Sequence, residues 1–181
     1  TADGERISLK DRRLKLVVPS MGRYGAPSFA AACRCYGVNA EPLGAMEEED
    51  LVLGKGNSLC KECLPLQLTT GGLLRYIAKG RPEEEMTAYF MPTASGPCRF
   101  GQYQVFMNNL IKKKHIPRVT LMSLSAADNY GGLGSGFVIL GWLATLVADC
   151  FQDIHYAMLV NAGDPFSALD SLQAAHDIVL A

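Results

Sequence analysis

Apolar positions along this chain alternate between short continuous runs and longer stripes at helical spacing. Residues 14–19 form a nearly unbroken apolar run, as expected of a strand buried on both faces. Residues 38–43, 87–92 and 119–123 read as three more strands. Between them lie helix candidates. Residues 28–36 are alanine-rich, with Ser28 as N-cap and Gly37 as a positive-φ stop. Residues 64–79, 103–114, 137–160 and 167–180 also carry helical spacing, the last after the punctuating pair Asp164-Pro165. Residues 21–25 and 125–136 read as loops. Residues 51–53 are too few to decide between strand and helix. This alternation predicts an α/β fold, a Rossmann-like parallel sheet flanked by helices.

The expected organisation is a loose polar lead-in over 1–13, an α/β domain over 14–150 and a C-terminal helical segment over 151–181. Thr1 stands where an initiator Met would, and no signal peptide is visible. A piece excised from a longer protein is expected. The acidic run Glu47-Glu48-Glu49-Asp50 reads as a solvated turn rather than a metal site, because consecutive like charges repel unless a cation joins them. Gly71 and Gly72 weaken an isolated helix by about 1 kcal/mol each. A close approach to neighbouring backbone or a cofactor, or a helix break, would explain them.

Composition narrows the function. Of 181 residues, 49% are hydrophobic, enough for a substantial core, and the net charge is −1 with acids and bases read as interspersed. That balance gives no support for broad nucleic-acid binding. The apolar run 137–148 is too short to span a bilayer, so no membrane partner is expected. The six cysteines suit metal or redox chemistry in a cytoplasmic protein better than disulfides in an exported one.

Two segments carry the chemistry. One is Cys60-Lys61-Glu62-Cys63-Leu64-Pro65; the other is Gly96-Pro97-Cys98-Arg99-Phe100-Gly101-Gln102-Tyr103. Each reads as a loop where a strand-like run gives way to a helix, the place where open α/β proteins build sites. Cys-x-x-Cys alone suits either a soft metal or a redox dithiol. Cys98 adds a third sulfur, and a following helix favours its thiolate. Cys33 and Cys35 point apart on a helix and are read as structural. Cys150 reads as a small buried hydrophobe. His115, following three lysines, reads as exposed, and His155 as a packing residue. No Ser-His-Asp arrangement and no phosphate-binding G-x-x-x-x-G-K-[ST] loop is present. Gly131-Gly132-Leu133-Gly134-Ser135-Gly136 reads as a turn, and only weakly as an anion cradle.

Together, Lys61-Glu62-Cys63-Leu64-Pro65, Thr69-Thr70-Gly71 and the stretch from Phe90-Met91-Pro92 through Cys98 to Tyr103 resemble a known family. Pro19-Ser20-Met21-Gly22 and Gly37-Val38-Asn39-Ala40-Glu41 also fit. The chain looks like the dehydratase-like region of large CoA-substrate-specific enzyme activases, which is similar to the subunits of 2-hydroxyacyl-CoA dehydratases. The resemblance covers residues 14–150 and is strongest in the two cysteine segments.

It implies a [4Fe–4S] cluster held by cysteines and a role in low-potential electron transfer. Cys63 and Cys98 match the family's pattern. Cys60 is a candidate third ligand through its spacing to Cys63. Arg99 balances the cluster's charge or contacts substrate, unless it forms a surface salt bridge. The implied partners are other domains of a parent protein and a dehydratase or acyl-CoA substrate. No ATP-binding pattern is present, so ATPase activity is not carried over. Two alternatives remain: a structural zinc domain, which needs four closed ligands, and a non-catalytic interaction domain docking through residues 137–160.

Overall fold

The computed structural model describes residues 7–59, 61–93, 96–125 and 129–181. Four strands, β1 (Leu14–Val18), β2 (Ala40–Pro42), β3 (Met86–Phe90) and β4 (Val119–Met122), form one parallel sheet in the order β2-β1-β3-β4. The register sets Leu16 beside Ala40 and Ala88, and Ala88 beside Thr120. Among the described residues six α-helices cover it: α1 (Gly22–Cys35), α2 (Glu48–Gly56), α3 (Leu64–Ala78), α4 (Tyr103–Lys113), α5 (Ser135–Asn161) and α6 (Pro165–Leu180).

Strand side chains alternate between two cores. Leu14, Leu16, Val18, Ala88 and Phe90 pack with Ala26, Ala30 and Cys33 of α1 and Phe137 of α5. Val17 and Tyr89 pack on the opposite face with Leu66 and Leu73 of α3 and Met107 and Ile111 of α4. The sheet is thus covered on both sides, which explains why its strands read as unbroken apolar runs. Ile7 and Leu9 of the lead-in pack against the first core, so this part of it is docked rather than loose.

Several boundaries differ from expectation. α1 begins at Gly22 and carries Pro27 inside it. The start expected near Ser28 rested on serine's preference for the N-cap. Burial of Tyr24 and Ala26 outweighs the backbone hydrogen bond lost at Pro27. Ser28 is therefore buried mid-helix and caps nothing. Gly37 does take a positive φ, 79°, and closes the helix through Val38 N–H to the Cys33 carbonyl, 3.1 Å.

The acidic run is the start of α2, not a turn. The Glu47 side chain accepts from the Asp50 N–H, and Asp50 Oδ2 accepts from the Glu47 N–H at 2.8 Å. This reciprocal cap and the positive end of the helix dipole outweigh the repulsion among the acids. Leu51-Val52-Leu53 is accordingly helical.

α2 and α3 cross at glycines. A methyl on Gly54 would meet the Gln67 carbonyl, and one on Gly71 would meet the Asp50 carbonyl. Close backbone approach thus explains Gly71. Gly72 faces only the side chains of Met46 and Leu43.

α5 is one unbroken helix through residue 150. At 27 residues, with a mean hydropathy of 1.6 over an 18-residue stretch within it, it is long and apolar enough by length and composition to cross a membrane. The run 137–148 understated this, because the helix continues through Asp149 and Asp153. α5 packs against α1 and α6, yet only Phe137 and Ala148 of it are buried.

Candidate functional site

Strand order reverses between β1 and β3: the chain passes from β1 outward to β2, then returns to β3 on the other side. Open parallel sheets bind ligands beside such switch points, at the carboxyl ends of their strands. The loop leaving β3 leads to Cys98. Cys63 reaches the region differently, since the segment before it follows helix α2 rather than a strand. Of the cysteines expected at strand ends, only Cys98 follows one. Cys60 lies outside the described residues.

Cys63 is the N-cap of α3, with backbone in the extended region and Pro65 in the first turn. Proline's missing N–H costs nothing there. Cys98 holds the same cap position on a short 3₁₀ turn, Arg99–Gln102, which runs directly into α4. Neither side chain is used to cap its helix.

Tyr103, the first residue of α4, reaches Cys63. Its hydroxyl lies 2.6 Å from Cys63 Sγ. Its ionisation is pushed up first by burial and then by the hydrogen bond to Cys63. Tyr103 is thus held as a neutral phenol able to donate to sulfur. Phe100 stacks edge-on against it at 5.2 Å.

Arg99 ties the two loops together: its guanidinium donates to the Lys61 carbonyl at 3.3 Å and lies 3.7 Å from Glu62. Both partners reach solvent, so the pair itself adds at most about 1 kcal/mol. The surface salt bridge is therefore what the geometry realises, and it leaves one side of the guanidinium toward a cavity. That cavity, about 380 Å³, is walled by Glu62, Leu66, Arg99, Gln102, Tyr103 and Phe106.

The other cysteines stand apart. Cys33 is buried against the sheet, and burial pushes its thiol up to about 12. Cys35 is exposed. Cys150 is exposed as well, contrary to expectation, because its side of α5 has no neighbour. His115 is exposed, as expected. Among the described residues no three His, Cys, Asp or Glu side chains are placed to hold a metal ion. The glycine-rich run before α5 is a turn of left-handed residues, with φ of 68°, 82° and 83° at Gly131, Gly132 and Gly134.

Compared with protein families, curated proteins and solved structures, this chain matches none. Its reading therefore rests on its own residues.

A second polar cluster escaped the sequence reading. Ser28 Oγ and His176 Nε2 lie 3.0 Å apart in the interior, and the Tyr24 hydroxyl lies 3.0 Å from His155 Nδ1. Tyr24 and Phe151 meet the His176 ring edge-on at 4.9 and 4.8 Å. These contacts join α1, α5 and α6. No local spacing announces them, because each hydrogen-bonded pair joins residues more than a hundred positions apart.

His176 is 0% exposed, and its Nδ1 has no hydrogen-bond partner among the described residues. Burial pushes its pKa down, against a smaller opposing pull from Asp177. The unfolded chain therefore binds this proton more readily than the folded one. The stability that neutral His176 supplies is complete above the unfolded value of about 6.5 and is lost as pH falls from there toward the folded value. Thermal midpoints should drop on acidification below that value, and the drop should be shallower in His176→Gln. Parallel pH profiles for both proteins would show the idea to be wrong.

Proposed function

We propose that this chain is an iron–sulfur-binding domain related to the dehydratase-like region of CoA-substrate-specific enzyme activases, serving low-potential electron transfer. The observation that supports it most is the Cys63 sulfur 2.6 Å from the hydroxyl of buried Tyr103, the first residue of the helix that follows Cys98.

The donor chemistry fits such a cluster. Both thiols sit at N-caps, where backbone N–H groups favour an anionic group. Both remain accessible, Cys63 partly and Cys98 fully. Tyr103 supplies a neutral donor to sulfur, a contact of the kind that tunes cluster potentials. Cys60 is the proposed third ligand, and three protein ligands would leave one iron of a [4Fe–4S] cluster open to substrate or water. When bound, the cluster would supply one-electron chemistry; this chain's part is to hold it and limit its contact with water. The proposed setting is cytoplasmic. The proposed partners are other domains of a parent protein, a dehydratase or an acyl-CoA.

Anaerobic reconstitution with iron and sulfide tests the reading. Iron and sulfide should be retained in near-equal amounts. Retention should fall at least about tenfold in Cys63→Ala and in Cys98→Ala, while Cys35→Ala and Cys150→Ala keep it. Retention of zinc alone in tetrahedral sulfur ligation would replace this reading with a structural zinc site. No retained metal, or equal retention without Cys63 and Cys98, would end both.

A further inference from the structure

Acids and bases are not interspersed along the whole chain. All 17 Lys and Arg lie at or before Arg118. Beyond it the acidic and basic side chains are six aspartates, Asp128, Asp149, Asp153, Asp164, Asp170 and Asp177, with the two histidines of the buried cluster. The segment that forms α5 and α6 therefore carries no Lys or Arg, although Arg23 of α1 reaches Gln173 of α6.

That charge adjoins uncovered apolar surface. Ile139, Trp142, Leu143 and Leu146 recur at i, i+3, i+4 and i+7, which puts them on one face of α5. They are 65%, 67%, 50% and 57% exposed. Asp149 and Asp153 continue the same face, three and seven residues beyond Leu146, or about 5 and 10 Å along the axis. Beside Trp142 opens a cavity of about 220 Å³, walled by Phe29, Leu124, Tyr130 and Phe137. It gives an apolar side chain a place to anchor.

We propose that this face docks an amphipathic helix of a partner protein, apolar along one half and carrying Lys or Arg one to three turns farther on. The apolar half would lie on Ile139 to Leu146, with one large side chain in the cavity by Trp142. The basic half would meet Asp149 and Asp153. This is the helix-in-groove mode, with charge fixing the direction of the incoming helix.

Charge distinguishes this occupant from two others. A second copy of the chain would bring its own aspartates to the same face. A parallel pairing sets acid against acid, and an antiparallel one sets acid against the apolar half. A membrane surface attracts Lys and Arg and repels acids, and α5, whose face this is, carries no Lys or Arg. The proposal is independent of any cluster at Cys63. It gives a definite partner chemistry to the docking surface expected at 137–160.

Trp142 is the single tryptophan of the chain, so its fluorescence reports this face alone. The probe is a synthetic helical peptide with a Leu stripe in one half and Lys in the other, titrated into the full 181-residue chain. A saturable blue shift is expected. Affinity should fall about tenfold when the peptide's Lys are replaced by Glu, and about tenfold in Asp149→Asn/Asp153→Asn; rising salt should weaken it. Leu146→Ser should abolish the shift with an unchanged circular dichroism spectrum. The cysteine variants Cys63→Ala and Cys98→Ala should bind the peptide normally, which separates this outcome from that of the cluster. Equal affinity for the Lys and Glu peptides would overturn the proposal. So would a concentration-dependent dimer that removes the peptide's effect, or a larger shift with phosphatidylcholine vesicles than with the peptide.

Discussion

Replacing Arg75 with Ala should cost about 3–5 kcal/mol of folding stability, the cost of leaving a buried charge without its partner. Asp50 is 0% exposed, and Arg75 Nε lies 2.7 Å from its Oδ1, although off the line of a hydrogen bond. The same guanidinium reaches Glu47 at 2.6 Å. With Arg75 gone, Asp50 keeps only the Glu47 N–H on its other oxygen. Chemical denaturation of Arg75→Ala checks the loss. Asp50→Asn should recover part of it in the double variant, since an amide needs no counter-charge. A loss under about 1 kcal/mol would place the pair in the class of surface ion pairs and refute the argument.

Gly71→Ala should cost about 2 kcal/mol. Overpacking into backbone costs up to about 3 kcal/mol, and alanine's better helix propensity returns about 1. The added methyl meets the Asp50 carbonyl, so α2 and α3 must separate. Gly72→Ala is the control. Its methyl would meet only the Met46 side-chain end at 3.2 Å, which can move, so this variant should be close to neutral. Equal melting points for the two variants would show that the helix crossing tolerates expansion. Because α3 begins at Cys63, Gly71→Ala should also lower the yield of reconstituted cluster.

Much of this architecture could be read from the chain, and the reasons are particular. Strand β1 was visible because both its faces are covered, and α3 because its apolar spacing survives two glycines. Gly37 was legible because a helix end needs a positive φ there. What stayed hidden depends on distant partners. Ser28 gave the wrong helix start because the pull on Tyr24 comes from α5 and α6. The acidic run misled because its repulsion is relieved by Arg75, more than twenty residues away. Cys150 was misplaced because an apolar helix need not be a covered one. At the candidate site, the cysteines were legible by type and flanking residues. The hydroxyl of Tyr103 beside Cys63 was not, since forty positions separate the two.

The strand order also governs how the chain can assemble. β1 pairs early with β2, Leu16 beside Ala40, but its other edge waits for β3, where Leu14 meets Met86. Closing so long a loop delays the central pair, and such non-local parallel pairing folds slowly. On the ribosome, the apolar run of β1 has one open edge until residues 86–90 have emerged. Through that interval the nascent chain exposes a strand suited to pairing with other chains, and holding by a chaperone would matter most just before β3 appears.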